Sequence, residues 1–244
     1  MKTGIVVQAR MGSTRLPGKI MTNIAGKTAL EHLIERLKIC KKINEIIIAT
    51  TILSSDSIVA ETAEKSGVKS FRGSEEDVLS RYYFAAKENE LDAIVRVTAD
   101  CPLIDPMIID ELMSFYEENN YDFVTNVNID VSKRTYPRGL DTEIFSIAAL
   151  EKAYAEAKEK YQREHVTPYL YENCKNIFFY KNDINYSKYR WTLDTWDDLE
   201  LLTKVYSYLY KGKHDFFLKE IIALFEERQE LIKINEHVEQ KKIK

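Results

Sequence analysis

Cysteine is scarce and unpaired in this chain: Cys40, Cys101 and Cys174 are widely spaced among 244 residues and form no C-x-x-C pair. That excludes a disulfide framework and a zinc knuckle, and it fits a reducing cytoplasm. Long apolar runs are also missing. The run Ile5 to Val7 is too short for the core of a signal peptide, and no stretch approaches the ~20 residues of a membrane span, so a cytosolic location without membrane partners is expected. Neither sign of charge dominates: 35 Lys and Arg face 39 Asp and Glu, a formal net charge of −4. Without a basic field to gather nucleic acid by counterion release, nucleic acid is excluded as a principal partner, and any anion site must be built locally. There is no internal repeat and no low-complexity linker.

What is present is an ordinary globular composition, 45% apolar and 30% charged. The length suits one large domain with a sizeable core. Short β-rich runs alternate with amphipathic stretches through the first half: Gly4 to Ala9, Thr28 to Lys38, Glu45 to Thr50, Ile58 to Lys65, Val68 to Phe71, Asp77 to Lys87 and Ala93 to Thr98. This alternation predicts βαβ units and a Rossmann-like α/β three-layer sandwich with a mainly parallel sheet.

Beyond Asp122 the pattern changes. Strands are expected at 122–126, 140–145, 177–181 and 190–193, and helices at 147–158, 164–172, 196–210 and 216–227. Residues 1–244 are therefore read as one domain with 127–189 as a small inserted α+β lobe, and the charged tail past Asn235 is expected to fray.

Ligands of parallel sheets bind outside the carboxyl ends of the strands, which singles out two loops. The first, Gln8-Ala9-Arg10-Met11-Gly12-Ser13-Thr14-Arg15-Leu16-Pro17-Gly18-Lys19, sets three cations, two hydroxyls and two glycines directly after a buried strand. A triphosphate needs close backbone N–H groups and fixed cations, and this composition supplies both. It matches neither G-x-G-x-x-G nor G-x-x-x-x-G-K-[ST], and a solvated basic turn accounts for the same residues. The second loop carries Asp100-Cys101-Pro102-Leu103. A third segment, Arg190-Trp191-Thr192-Leu193-Asp194-Thr195-Trp196-Asp197-Asp198, crowds acids at a strand-to-helix junction. Thr195 and Asp198 read as a capping box, Asp197 as a first-turn acid and Asp105 as a cap before Pro106. Cys101 lacks a histidine partner in sequence and is read as a structural neighbour rather than a nucleophile.

The run Ala9 to Lys19, continued by Ile24-x-Gly26-Lys27 and His32-x-x-Glu35-Arg36, resembles the signature of the CMP-sugar cytidylyltransferases, that of CMP-KDO synthetase above all. Gln8 stands where many of its relatives have proline. Arg138-Gly139-Leu140-Asp141-Thr142-Glu143 and Arg163-Glu164-His165 resemble the spore coat polysaccharide biosynthesis protein F branch of that superfamily, as does Phe71 to Tyr82. The resemblance implies a nucleotide-diphospho-sugar transferase-like fold and transfer of a cytidylyl group from CTP to a sugar or sugar acid, for surface or spore coat polysaccharide.

It further implies CTP contacts from Ala9, Arg10, Ser13, Arg15, Lys19 and Arg81, with Arg10, Lys19 and Asp100 catalytic. It implies Mg²⁺ held by Asp100 and Asp194, sugar contacts from Arg138, Glu143, Glu164 and His165, and a homodimer formed through the inserted lobe. Mg²⁺ is a hard ion usually held by one or two carboxylates with substrate phosphates, which suits this pair. For Arg163, Glu164 and His165, ordinary solvated charges and a structural histidine remain an equal reading.

Three competing readings are open. A sugar-1-phosphate nucleotidyltransferase using another nucleoside triphosphate would need the same phosphate loop. A non-catalytic nucleotide-sugar-binding protein would be expected to lack Asp100 or Lys19. A glycosyltransferase would be expected to carry a D-x-D metal motif, which Asp130-Val131-Ser132 does not complete.

Overall fold

The structure, a computed structural model, describes residues 1–240. Its strands are β1 (Thr3–Gln8), β2 (Asn23–Ile24), β3 (Lys27–Thr28), β4 (Glu45–Thr51), β5 (Lys69–Gly73), β6 (Ala93–Thr98), β7 (Phe123–Thr125), β8 (Glu143–Ser146) and β9 (Ile177–Phe179). Its helices are α1 (Ala29–Leu37), α2 (Ser57–Lys65), α3 (Val78–Glu88), α4 (Pro106–Glu118), α5 (Ile147–Glu156), α6 (Lys160–His165), α7 (Pro168–Asn173), α8 (Trp196–Leu209) and α9 (Leu218–Glu227).

The helices begin where local chemistry says they should. Thr28 and Glu31 form a reciprocal capping box on α1, as do Thr195 and Asp198 on α8. Asp105 caps α4, whose first residue is Pro106, a position where the missing N–H costs nothing. Asp105 also accepts from Leu218 N at 2.7 Å, so one carboxylate starts α4 and holds the first turn of α9.

Seven strands form one sheet in the order β5-β4-β1-β6-β8-β7-β9, and β2 and β3 form a separate hairpin. The pairs β1–β4, β1–β6, β4–β5 and β7–β9 are parallel, and β8 runs against both β6 and β7. The α/β sandwich read from the sequence is thus the observed fold. Because β4 lies on one side of β1 and β6 on the other, the winding reverses at β1, and the crevice there is where such sheets bind ligands. Alternation along β1 sends Val6 into one core and Ile5 with Val7 into the other, which makes the sheet the middle of three layers.

Several elements differ from the sequence reading. Residues 190–193 form no strand, only an isolated bridge between Arg138 and Arg190. The helix expected at 164–172 is two, α6 and α7, separated at Val166 (φ 70°) and Thr167 before Pro168, a residue that disfavours helix in its predecessor. The hairpin β2–β3 was not anticipated, and helix α4 was anticipated only through its cap, Asp105 before Pro106. Segment 127–189, read as an inserted lobe, contributes β8 and β9 to the main sheet. Past Asn235 the chain does not fray as far as Gln240, whose Oε1 accepts from Arg190 Nη1 at 2.7 Å, and 241–244 lie outside the described residues. Among the described residues no helix is long and apolar enough to cross a membrane.

Candidate active site

The basic loop is shaped by contacts that leave Arg10 and Arg15 partly exposed and turn Lys19 inward. Leu16 is buried in the core, Gly18 takes a left-handed turn (φ 67°), and Gly18 N donates to Met11 O at 3.1 Å. Met11 N donates at 2.7 Å to Asp56 Oδ1, and Thr51 Oγ1 donates to the other Asp56 oxygen. Asp56 therefore pins the loop to the end of β4. Nothing in the sequence marked it, because Met11, the partner through which it holds the loop, lies 45 residues upstream.

The turn at Gly18 sends Lys19 back across the strand ends. Its ammonium lies 2.7 Å from Asp100 Oδ2 and 2.7 Å from Asp194 Oδ1. Burial works against a charged lysine, but the attraction of Asp100 and Asp194 outweighs it and the Lys19 pKa rises. Burial likewise opposes ionised Asp100, yet Lys19 and the hydroxyl of Thr98, at 2.6 Å from Oδ1, carry its pKa below the usual carboxylate value.

Around this triad the ion pairs continue. Asp194 Oδ2 meets Arg15 Nη2 at 3.0 Å and Arg190 Nη2 at 2.8 Å, and Arg190 Nε donates to Asp198 at 3.0 Å. Leu193 N donates to Asp100 O at 2.8 Å, which locks the two acidic segments side by side. Gly139 makes the crossing behind them possible: with φ 100°, a Cβ there would lie 2.7 Å from the Trp191 carbonyl carbon. Arg190 was not among the sequence candidates. Its spacing of four to Asp194 and eight to Asp198 carries no periodic meaning in a segment that is not helical until Trp196.

The structure thus brings Lys19, Asp100, Asp194 and Arg15 together. Arg10 is exposed and pairs loosely with Glu75 at 3.6 Å, and Ser13 Oγ accepts from Leu16 N at 3.4 Å. Ala9 is buried, its N–H given to Ala49 O at 3.1 Å. Arg81, on α3, is 2% exposed, and its Nε and Nη1 find no partner among the described residues. Burial lowers its pKa, and Arg10 adds to that. A buried guanidinium without an acceptor is costly and is what an anion would relieve.

The remaining candidates stand apart from the triad. Glu143 is buried with both oxygens engaged, one by Arg96 and the other by Tyr171 Oη at 2.8 Å, and Arg96 reaches on to Gln8 Oε1 at 3.1 Å. Arg138 is half-buried, its pKa lowered by burial and by Arg134 and Arg190 nearby. Glu164 and His165 belong to α6, which packs on α3 and α7. The neighbouring Arg163 is tied to Asp77, the cap of α3.

Cys101 is 1% exposed, and burial followed by the Asp100 charge pushes its thiol well above the ordinary value, in keeping with a structural role. In the native protein Cys101 is expected to alkylate with iodoacetamide far more slowly than in urea, and more slowly than half-buried Cys174. Peptide mapping that found Cys101 labelled first would contradict that role.

The donor set at Asp100 and Asp194 fits a hard divalent cation. Two carboxylate oxygens, one just past the end of β6 and one just before α8, already converge on one cation, the Lys19 ammonium.

Known proteins resemble this chain along nearly its whole length. Residues 4–243 match the family described as Cytidylyltransferase. The spore coat polysaccharide biosynthesis protein of Bacillus subtilis is 32% identical over 82% of this chain and 85% of its own. A solved cytidylyltransferase structure from Leptospira borgpetersenii serovar Hardjo-bovis is 41% identical, with TM-score 0.88 over 95% of this chain and 97% of that one. The structure of CMP:2-keto-3-deoxy-manno-octonic acid synthetase complexed with CTP shares the fold at 21% identity, with TM-score 0.66 over 85% of this chain and 99% of that one. The chain accordingly belongs to the cytidylyltransferase family, in the branch of the spore coat polysaccharide biosynthesis protein, and is a nucleotidyltransferase.

Proposed function

We propose that the protein transfers the cytidylyl group of CTP to an oxygen of a sugar or sugar acid, releasing pyrophosphate, with Mg²⁺ as the metal. The observation that carries this reading is the convergence of Lys19, Asp100 and Asp194 at 2.7 Å from three separated segments, at the strand ends where the winding reverses. The network is close to charge-balanced, with Lys19, Arg15 and Arg190 facing Asp100, Asp194 and Asp198. A triphosphate entering it needs further positive charge, which Arg10, Arg81 with its Nε and Nη1 unpaired among the described residues, and a divalent cation would supply.

Asp100 and Asp194 would hold the ion. When bound, it would polarise the α-phosphate and favour ionisation of the attacking hydroxyl. In-line displacement at phosphorus asks the chain mainly for positioning and charge neutralisation, so no protein nucleophile is required. Lys19, Arg10 and Arg15 neutralise the triphosphate and the departing pyrophosphate. Backbone around Ala9 and the Ser13 hydroxyl line the phosphate path, and Arg81 takes an anionic oxygen. Arg138, half-buried near Arg134, Asp141 and Arg190, would be the cation that meets the carboxylate of a sugar acid. Glu143 acts through Arg96 and Gln8 rather than as a free acceptor. Glu164 and His165 would bound the sugar on the α6 side, and 127–189 would form the interface of a homodimer. Production of a CMP-sugar for surface polysaccharide follows from this reading.

The test is pyrophosphate release with CTP, Mg²⁺ and a panel of sugar acids. Asp100→Asn is expected to lower the rate by about 10²-fold or more, the scale of losing one preorganised electrostatic group. Full turnover by Asp100→Asn would overturn the metal assignment. Melting-temperature shifts with each nucleoside triphosphate test the base, since a ligand specific to the native state stabilises it by mass action. Equal shifts for all would remove the preference for CTP and favour a broader nucleotidyltransferase.

A further inference from the structure

A second cluster of ligand atoms lies away from the triad. Asp194 precedes the first turn of α8, and His214 follows that helix, which at 14 residues is about 21 Å long. His214 sits in the connection to α9 and faces His32 and Glu35, which share one face of α1 by their spacing of three. His32 Nδ1 is 3.2 Å from His214 Nε2, and His214 Nε2 is 3.2 Å from Glu35 Oε2. The three ligand atoms lie within 4.8 Å of one another.

The protons available do not satisfy this arrangement. His32 Nε2 lies 2.6 Å from Ile24 O and must carry a proton to donate there, which leaves Nδ1 as a bare lone pair. The Glu35 carboxylate only accepts. His214 Nε2 has at most one proton to offer two acceptors, and its buried Nδ1 has no partner among the described residues. Lys27 bonds the far oxygen of Glu35, Oε1, and leaves Oε2 directed at the histidines.

We infer that His32, Glu35 and His214 form a binding site for a divalent transition-metal ion of the zinc class, held by two imidazole nitrogens and one carboxylate oxygen, with water as a fourth ligand. Metal bonds of 2.0–2.1 Å in a tetrahedron put neighbouring ligand atoms about 3.3 Å apart, close to the two observed separations of 3.2 Å. The Ile24 carbonyl behind His32 orients the ring, as carbonyls commonly do behind metal-bound histidine. Nitrogen donors select such an ion over Mg²⁺, which separates this site from the all-oxygen pair at Asp100 and Asp194. Its effect is a clasp: the ion joins α1, and through Ile24 the β2–β3 hairpin, to the connection between α8 and α9.

The experiment titrates the chelator-dialysed full chain with Zn²⁺ in excess Mg²⁺, by calorimetry and by metal analysis after gel filtration. Co²⁺ serves as the spectroscopic probe. One Zn²⁺ per chain, a raised melting temperature and visible Co²⁺ bands of a four-coordinate centre are expected. Glu35→Gln keeps a partly exposed side chain of the same shape and should weaken Zn²⁺ at least ~10-fold. His214→Ala should abolish the Co²⁺ bands, and Asp100→Asn should leave Zn²⁺ binding unchanged. Three results overturn the site: no retained Zn²⁺ in the wild type, undiminished binding in Glu35→Gln, or loss of binding in Asp100→Asn. If His214→Ala fails to fold by circular dichroism, Glu35→Gln decides alone.

Discussion

Lys19→Met is expected to lower CTP-dependent pyrophosphate release by about 10²–10³-fold, the range for removing one preorganised charge from a transition state. It is also expected to make the protein's stability depend on divalent cations. In the native chain the ammonium is the shared counter-ion of Asp100 and Asp194, at 2.7 Å from each, with its side chain 14% exposed. Methionine keeps much of the stem and removes the charge, leaving two poorly hydrated carboxylates aimed at one position. Breaking such a pair costs about 3 kcal/mol or somewhat more.

Mg²⁺ should recover part of that loss, because the two oxygens already converge. The melting temperature of Lys19→Met should therefore rise more with Mg²⁺ than that of the wild type. The pH response follows from Asp100, whose folded pKa lies below its unfolded value. Its contribution is fully present above the unfolded value, about 3.9, and is lost as pH falls through the folded value. Without Lys19 the folded pKa moves back up and that acid-dependent part of the stability shrinks. Native turnover in Lys19→Met, or no added response to Mg²⁺, would show that the ammonium is not the organising charge.

Asp198→Ala is expected to give the largest loss of stability in this region, about 3–5 kcal/mol by urea denaturation. Asp198 is 1% exposed and accepts from Arg190 Nε at 3.0 Å and Nη2 at 3.2 Å, from the N–H groups of Asp194 and Thr195 at 2.9 and 3.0 Å, and from Asn235 Nδ2 at 2.8 Å. Alanine keeps the Thr195 N-cap but removes the reciprocal half of the α8 capping box and strands these donors. Arg190, itself buried, keeps only Asp194 and Gln240 among the described residues for compensation. Asp198→Asn retains an acceptor for the helix end and should cost much less, about 1–2 kcal/mol. Because Asp198 reaches the chemistry only by holding Arg190 and the Asp194 backbone, the folded fraction of Asp198→Ala should keep far more activity than Lys19→Met. Equal destabilisation by alanine and asparagine would mean that the charge, and not the acceptor geometry, holds the segment.

Much of this protein was legible from short stretches of chain. Strands β1, β4, β5 and β6 and helices α1, α2 and α3 declared themselves by periodicity, and the caps at Asp105, Thr195 and Asp198 by residue type and spacing. These signals depend on atoms within about one helical turn, so the sequence contains the whole interaction. The basic loop was visible for the same reason, and its position after a buried strand placed it at the ligand-binding edge.

Tertiary structure alone decided which charges meet. The family signature had already singled out Lys19, Asp100 and Asp194, but that Lys19 pairs with both, 81 and 175 residues away, depends on sheet order and on the Asp56 anchor. Arg190 was invisible because its partners are brought close by a non-helical bend whose spacing encodes no period. Glu143 was expected to contact the sugar, and only the antiparallel register of β8 shows it opposite Arg96. Local geometry is written in neighbouring residues, whereas the meeting of buried charges is set by strand order and register, which no short stretch of chain specifies.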